Sequence, residues 1–486
     1  MKKAIVIGSG IAGLASSIRL KAKGYQVDVF EQAEKAGGKM GELKTKGYRW
    51  DTGPSLFTMP QLVDELFTLL GENPRDSFNY ISKKTVCHYF WEDGTSFQAK
   101  TKLSEFTQEA AETFQEPEHQ LKKYLTNSKL KYELTAPLFL NHSLHKAATY
   151  FSPSTLKALS SLPKLNLNST LNEVNSSYFK NPKLIQLFNR YATYNGSSPY
   201  QTPGIMSMIP SLEMQQGTFF PEGGMRSIAE SLFKLAQRHG VQFHFNETAK
   251  ELVVSNKKIV CLKTNKGSYE ADEYVCNMDV FFAYQKLMPK VKAPQKTLEQ
   301  ERSSSGIIFY WGIKGVFDQL GLHNIFFSED YKREFQEIFK QKKVPFDPTV
   351  YINITSKEKA DDAPKGCENW FVMINVPATN DKEWKERVKV ARKRVVEKLG
   401  RILNVEIENL IKTEDVLEPS LIEKKTYSHL GALYGTASNS KYSAFLRHPN
   451  FSKQLDNLWF CGGSVHPGGG IPLCLKSAKI ATQLIS

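Results

Sequence analysis

The most chemically informative residues stand at the start of the chain. Gly8-Ser9-Gly10-Ile11-Ala12-Gly13 directly follows a β-branched run, Lys3 to Ile7, and opens a helical pattern. Glycines at this spacing allow a tight turn, close approach of the backbone to a pyrophosphate, and close packing of helix on strand. The helix start then turns unpaired N–H groups and a positive dipole end toward the phosphates. Glu31 lies 18 residues after Gly13, at the end of a second strand-like run, where a carboxylate accepts hydrogen bonds from ribose hydroxyls. Together these residues predict a dinucleotide site.

Two further segments discriminate between dinucleotides. Gly37-Gly38-Lys39 follows Glu31 closely and brings backbone and a cation toward the diphosphate, and Asp51-Thr52-Gly53-Pro54-Ser55 supplies a rigid loop suited to an isoalloxazine ring. In this order they favour FAD over NAD. At the far end, Leu458-Trp459-Phe460 leads into Cys461-Gly462-Gly463-Ser464-Val465-His466-Pro467-Gly468-Gly469-Gly470-Ile471-Pro472. Gly462, Gly463, Gly470, Ile471 and Pro472 would let backbone N–H groups and a helix dipole face the flavin ring. His466 is the first candidate for a proton acceptor, with His429 and Glu213 behind it. No Ser/His/Asp order reads as a triad and no H-E-x-x-H occurs, so no metal is expected.

The elements that must position these residues are those of an α/β protein. The opening reads as βαβ: strand 3–7, helix 11–23, strand 27–30. A second recognisable unit runs from Gly223-Gly224 through a helix at 227–238 to strands at 241–245, 250–254, 258–264 and 269–276. Strand-like runs recur at 303–313, 349–354 and 370–376, followed by a charged helix at 382–400 and a strand–glycine turn–helix tail at 457–486. Between about 75 and 205 the pattern becomes helical, and residues 128–162, interrupted by Pro137 and Pro153, fit amphipathic helices against a membrane, an apolar channel or a cap. The expectation is a discontinuous Rossmann-like FAD-binding domain of the amine-oxidase/desaturase type (1–74, 218–285 and 420–486). An α+β substrate-binding domain with a helical membrane-facing region (75–217 and 286–419) completes the chain.

Composition sets outer limits. The chain has 486 residues, 41% of them hydrophobic, enough for more than one core. A formal charge of +14 favours anionic surfaces such as lipid headgroups. Zinc-finger spacing, an RNP signature and arginine-rich tracts are missing, so no nucleic-acid partner is expected. Six scattered cysteines, none paired as C-x-x-C, fit a reduced, cytoplasmic protein. Lys2-Lys3 before an apolar run resembles a signal peptide, but Gly8, Gly10 and Gly13 break that run, and no stretch reaches the roughly 20 apolar residues of a span.

Taken together, the motifs resemble the bacterial-type phytoene desaturase family of carotenoid desaturases, most strongly at 3–67 and 457–486. That family's tail typically reads Gly-Ala-Gly-Thr-His-Pro-Gly-Ala-Gly-Ile-Pro; here Val465 and Gly469 depart from it, and Lys39 replaces a common Arg. The run from Asp51 to Pro60 is most similar to the subgroup that desaturates hydroxylated carotenoids at the 3,4 position, and Arg190-Tyr191 with Asn195 to Pro199 resembles a channel-shaping segment. The resemblance implies FAD, a carotenoid substrate drawn from the cytoplasmic membrane surface, and oxygen or a quinone as electron acceptor; it sets no oligomeric state. A phytoene desaturase, a carotenoid isomerase or retinol-saturase-like enzyme, an amine oxidase, and a non-catalytic flavin- and lipid-binding membrane protein are the competing readings.

Overall fold

The computed structural model describes residues 1–146, 149–150, 165–381 and 383–486. Pro153, the 151–162 part of the amphipathic stretch and Lys382 lie outside the described residues.

One layer is a parallel sheet of five strands in the order Leu458–Phe460, Glu273–Cys276, Lys3–Ile7, Gln26–Phe30, Gln242–His244. Its opening strand is apolar on both faces because both are covered. Ala4 and Val6 pack with Val27 and Val29 against helices Ile11–Ala22, Arg226–Arg238 and Ile471–Gln483. Ile5, Ile7 and Phe30 face a small antiparallel sheet made by Ala249–Ser255, Lys258–Thr264 and Ser268–Tyr269. The run read as one strand over 269–276 therefore splits in two. Ser268–Tyr269 pairs in the small sheet and Glu273–Cys276 in the parallel one. Asp272 turns the chain between them, its carboxylate accepting the Lys3 N–H at 2.7 Å.

The second layer is a seven-stranded mixed sheet, ordered Ile411–Leu417, Ser305–Lys314, Cys367–Val376, Val350–Ile354, His323–Phe326, Thr85–Phe90, Ser96–Lys100. Strand alternation gives it two apolar faces with different neighbours. Ile307, Phe309, Trp311, Trp370, Val372 and Ile352 form a core with Ala391, Val395 and Leu399 of the helix Trp384–Leu403. The other face carries Ile308, Tyr310, Phe371, Met373, Tyr351 and Ile325, which line a cavity.

Two expectations are corrected in the helical region. Residues 80–100 are strands (Tyr80–Ser82, Thr85–Phe90, Ser96–Lys100), not helix. Thr85–Phe90 shows no clean alternation because Val86 and Tyr89 pack with the helices while Phe90 packs behind the sheet. Pro137 does not interrupt the helix Glu118–Phe139 but sits in its last turn, where one missing N–H costs a single bond. Among the described residues no helix is long and apolar enough to cross a membrane.

Two buried charges carry much of the local energetics. Asp51 ends the hairpin strand Tyr48–Asp51, accepts the Met225 and Arg226 N–H groups at 2.9 and 2.8 Å at the start of helix Arg226–Arg238, and pairs with Arg49 at 2.8 Å. We expect Asp51→Ala to cost about 2–4 kcal/mol, since it removes a helix cap and one of the three carboxylates around the buried Arg49 guanidinium, measured as a lower denaturant midpoint. Lys131, 5% exposed, donates to Ser207 Oγ at 2.7 Å and has no carboxylate partner among the described residues. Burial lowers its pKa to about 8. The unfolded chain then binds the extra proton between pH 8 and 10.5, so stability rises across that window. Lys131→Met is expected to stabilise the protein by about 3 kcal/mol at pH 7, a gain that fades toward pH 10.5 in denaturant titrations at several pH values.

Candidate active site

Between the two sheets lies one continuous cavity of about 720 Å³, within the range of ligand-binding cavities. One end is polar and rich in glycine. The first strand delivers Gly8, Gly10, Ile11 and Ala12, and the second delivers Glu31. Gly13 lies behind this surface: a Cβ there would stand 1.9 Å from the Gly8 carbonyl oxygen, so only glycine lets the helix start close on the strand. Gly10 caps the helix without a side-chain hydrogen bond and no acid occupies the first turn, so its leading N–H groups are left for an anion. Ser9 also lies behind the cavity surface. Its N–H and Oγ both donate to Glu31 Oε2 at 2.8 Å, and the Ala33 N–H donates to Oε1 at 3.0 Å. These bonds fix the carboxylate at the cavity edge with acceptor capacity left on Oε1.

The middle of the cavity gathers the other predicted segments. Gly38, Lys39, Gly53, Pro54 and Ser55 line it from one side, and Gly462, Gly463, His466, Gly470, Ile471 and Pro472 from the other. Gly53 is held against the Gly-Gly-Lys loop so tightly that a Cβ would meet the Lys39 carbonyl at 1.9 Å. The buried Lys39 ammonium donates to the Leu433 carbonyl at 3.0 Å, has no carboxylate partner among the described residues, and is pushed down in pKa by burial. Arg447, which also lines the cavity, is a second buried cation without a carboxylate partner there. It donates to the Tyr434 carbonyl and Ser438 Oγ, leaves Nε without a hydrogen bond, and is lowered to about 10 by burial. Unpaired helix N–H groups and two uncompensated cations fit an anionic dinucleotide.

The three candidate bases separate. His466 is buried against the cavity with Nε2 at 3.0 Å from the His142 carbonyl, and burial lowers its pKa to about 4, which leaves a neutral imidazole. Glu213 also lines the cavity, but its oxygens already accept from Arg190 at 2.6 Å, Tyr191 at 2.5 Å and Tyr194, which ties the carboxylate into the wall. His429 does not line the cavity; it stacks on Phe281 with centroids 3.5 Å apart. Among the described residues no group of three or more His, Cys, Asp or Glu is placed to hold a metal.

The far part of the cavity is apolar. Tyr132, Met206, Met208, Ile209 and Leu212 from the helical region face Ile308, Tyr310, Phe371, Met373 and Ile325 of the large sheet. Of the residues read as channel-shaping, Arg190 and Asn195 line the same cavity, joined by Thr193 and Tyr194, while Tyr191 and residues 196–199 do not.

Several positioning residues escaped the sequence reading. Arg226 donates to the Ala36 and Met40 carbonyls at 2.5 and 2.7 Å and clamps the Gly37-Gly38 loop. Asn277 Nδ2 donates to the Gly8 carbonyl at 3.3 Å. Arg226 opens the helix after Gly223-Gly224 and Asn277 follows a strand, which were the available signals; for Arg447 the sequence offers none.

The profile of the flavin containing amine oxidoreductase family matches residues 11–486. A 1-hydroxycarotenoid 3,4-desaturase from Flavobacterium sp. is 60% identical over 485 residues, covering 100% of this chain and 99% of the relative. A 4,4'-diaponeurosporene oxygenase from Staphylococcus aureus is 30% identical, covering 100% and 98%. An oxidoreductase from Methanosarcina mazei, known from a crystal structure, shares the fold with a TM-score of 0.66 at 14% identity, covering 99% of each chain.

Forcing a side chain into the helix–strand contact tests the glycine cradle. Gly13→Val is expected to weaken FAD retention by about ten- to a hundredfold, through overpacking against the Gly8 carbonyl. Flavin released from purified protein on unfolding, per mole of chain, measures it.

Proposed function

The chain belongs to the flavin containing amine oxidoreductase family, and from that premise we propose that it is an FAD-dependent carotenoid desaturase that introduces the 3,4 double bond into a 1-hydroxycarotenoid. The observation that carries this reading is one continuous cavity, glycine-rich at one end, cationic in its middle, and apolar and aromatic beyond. A dinucleotide and a long polyene thereby share one continuous cleft. The relationship to the Flavobacterium enzyme supports the choice of substrate and carbon pair.

Desaturation removes a hydride and a proton from neighbouring carbons. FAD supplies the two-electron acceptor and carries the difficult chemistry. The chain binds, orients and excludes water. In our reading Gly8 to Gly13, Glu31, Gly38 and Lys39 hold the adenosine diphosphate portion, while Gly53, Pro54 and Ser55 with Gly462, Gly463, Gly470, Ile471 and Pro472 hold the riboflavin portion. The lost proton passes to His466 or to water. Ile308, Phe371, Met373 and Ile325, with Met208 and Leu212 opposite, align the polyene. These apolar walls favour a hydrocarbon over an amine, since the buried Arg190–Glu213 pair in the same wall is internally neutralised.

The proposal divides the chain into an FAD-binding domain (1–74, 218–285 and 420–486) and a substrate-binding, membrane-facing domain (75–217 and 286–419). A C40 polyene is delivered from lipid, and the net charge of +14 supports docking on the anionic cytoplasmic membrane. Oxygen or a quinone then receives the electrons.

Expression in hosts that accumulate lycopene-type, hydroxylated or colourless precursors tests the assignment. The expected result is a red-shifted pigment from the 1-hydroxylated substrate alone. Conversion of phytoene instead would reassign the enzyme to an earlier desaturation, and flavin-loaded protein that changes no carotenoid would overturn the reading.

A further inference from the structure

The cavity-facing side of the large sheet is mainly hydrocarbon, yet it sets one imidazole into that wall. His323 belongs to the strand His323–Phe326, is 2% exposed and lines the cavity. Cross-strand register places its side chain on the same face as Ile325 and Tyr351. Its Nδ1 lies 2.8 Å from Tyr351 Oη and 3.3 Å from Asn353 Nδ2. Tyr351 Oη in turn donates to Ser55 Oγ at 2.8 Å. Nε2 is buried and has no hydrogen-bond partner among the described residues. Burial and the neighbouring Arg190 guanidinium lower the ring to about 3, so it stays neutral.

A neutral imidazole has one donor nitrogen and one acceptor nitrogen. Because the one Tyr351 hydroxyl proton goes to Ser55, Nδ1 carries the ring hydrogen and donates to Tyr351 Oη, and Nε2 is left as an unpaired acceptor. Leaving it so in an apolar wall costs free energy unless a ligand completes it. A hydroxyl can donate to it; an ether, a ketone or a hydrocarbon cannot.

We propose that His323 Nε2 binds the hydroxyl of the carotenoid and is the residue that makes this enzyme specific for a hydroxylated end group, with Tyr351 and Ser55 as positioning residues. The inference rests on the desaturase reading above. It also meets that reaction's geometry. A hydroxyl on carbon 1 is only a few bonds from carbons 3 and 4, so its binding group must stand beside the reacting end of the cavity. Tyr351 ties His323 to Ser55, on the loop whose Gly53 is pressed against Lys39.

The test measures binding of two polyenes to the FAD-loaded enzyme, identical except for the hydroxyl, by quenching of flavin fluorescence in detergent micelles. Wild type is expected to prefer the hydroxylated polyene by about ten- to a hundredfold, the usual effect of leaving one buried polar group unpaired. His323→Phe should bind both within about threefold, with affinity for the unhydroxylated polyene unchanged, and His323→Gln, which keeps a polar tip, should restore part of the preference. A wild-type preference below threefold, an undiminished preference in His323→Phe, or an equal loss for both polyenes would overturn the inference and leave the desaturase reading standing. Wild-type enzyme that binds neither polyene would instead overturn that reading, and the inference with it.

Discussion

The guanidinium of Arg49 joins the two halves of the molecule. It pairs with Asp51 at 2.8 Å, with Glu42 at 3.2 Å and with Asp362 at 3.2 Å. Asp51 caps the helix Arg226–Arg238, while Asp362 follows the strand Val350–Ile354 of the large sheet. The Arg49 carbonyl accepts from Asn369 Nδ2 at 2.5 Å, and Tyr310 Oη donates to the Thr52 carbonyl at 3.2 Å. A buried charge is tolerated only when its partners surround it. Here those partners come from separate segments, so satisfying one cation fixes the hairpin, the helix start and the sheet together. The loop Thr52–Ser55, which continues from that hairpin, is thereby held between the glycine cradle and the apolar wall.

Alternation along the large sheet then decides what kind of ligand fits. Ile307, Phe309 and Trp311 turn away from the cavity and bury against the helix Trp384–Leu403, which leaves Ile308 and Tyr310 as wall. Residues that are neighbours in sequence thus serve stability and binding in turn. A wall built this way offers a polyene dispersion contacts and excludes water from a reaction whose electrons leave for FAD, while the cations Lys39 and Arg447 stand in the middle of the same cavity without carboxylate partners among the described residues.

The sequence made the cradle legible because its constraints are local. Gly8, Gly10 and Gly13 act through contacts within one turn and a short spacing to Glu31, so the pattern of residues and the geometry nearly coincide. The tail glycines form as dense a pattern in the sequence, although the residues that crowd them, Asn277 at Gly462 and Tyr434 at Gly469, are distant. Less was legible where the determining partner is distant. The strand at 85–90 packs against helices on one face and a second core on the other, which erases the period-2 signal, whereas Ser96–Lys100 keeps it, with Phe97 and Ala99 buried between exposed Ser96 and Gln98. The break at Asp272 reflects two different sheets competing for one run of chain. Glu213 reads from the sequence as an available acid, whereas the fold surrounds it with Arg190, Tyr191 and Tyr194. His323 and Arg447 carry no local motif, and their unpaired nitrogens exist only in the folded protein.

The central claim is that one cavity holds the polyene and FAD together, so that oxidation of one is reduction of the other. Anaerobic mixing of flavin-loaded enzyme with a 1-hydroxycarotenoid tests it most directly, with the visible flavin band and the polyene band followed together. The account predicts bleaching of the flavin and a red shift of the polyene at the same rate and in equal molar amounts. A red shift without flavin bleaching, or a fully loaded enzyme whose flavin stays oxidised with the carotenoid bound, would contradict it.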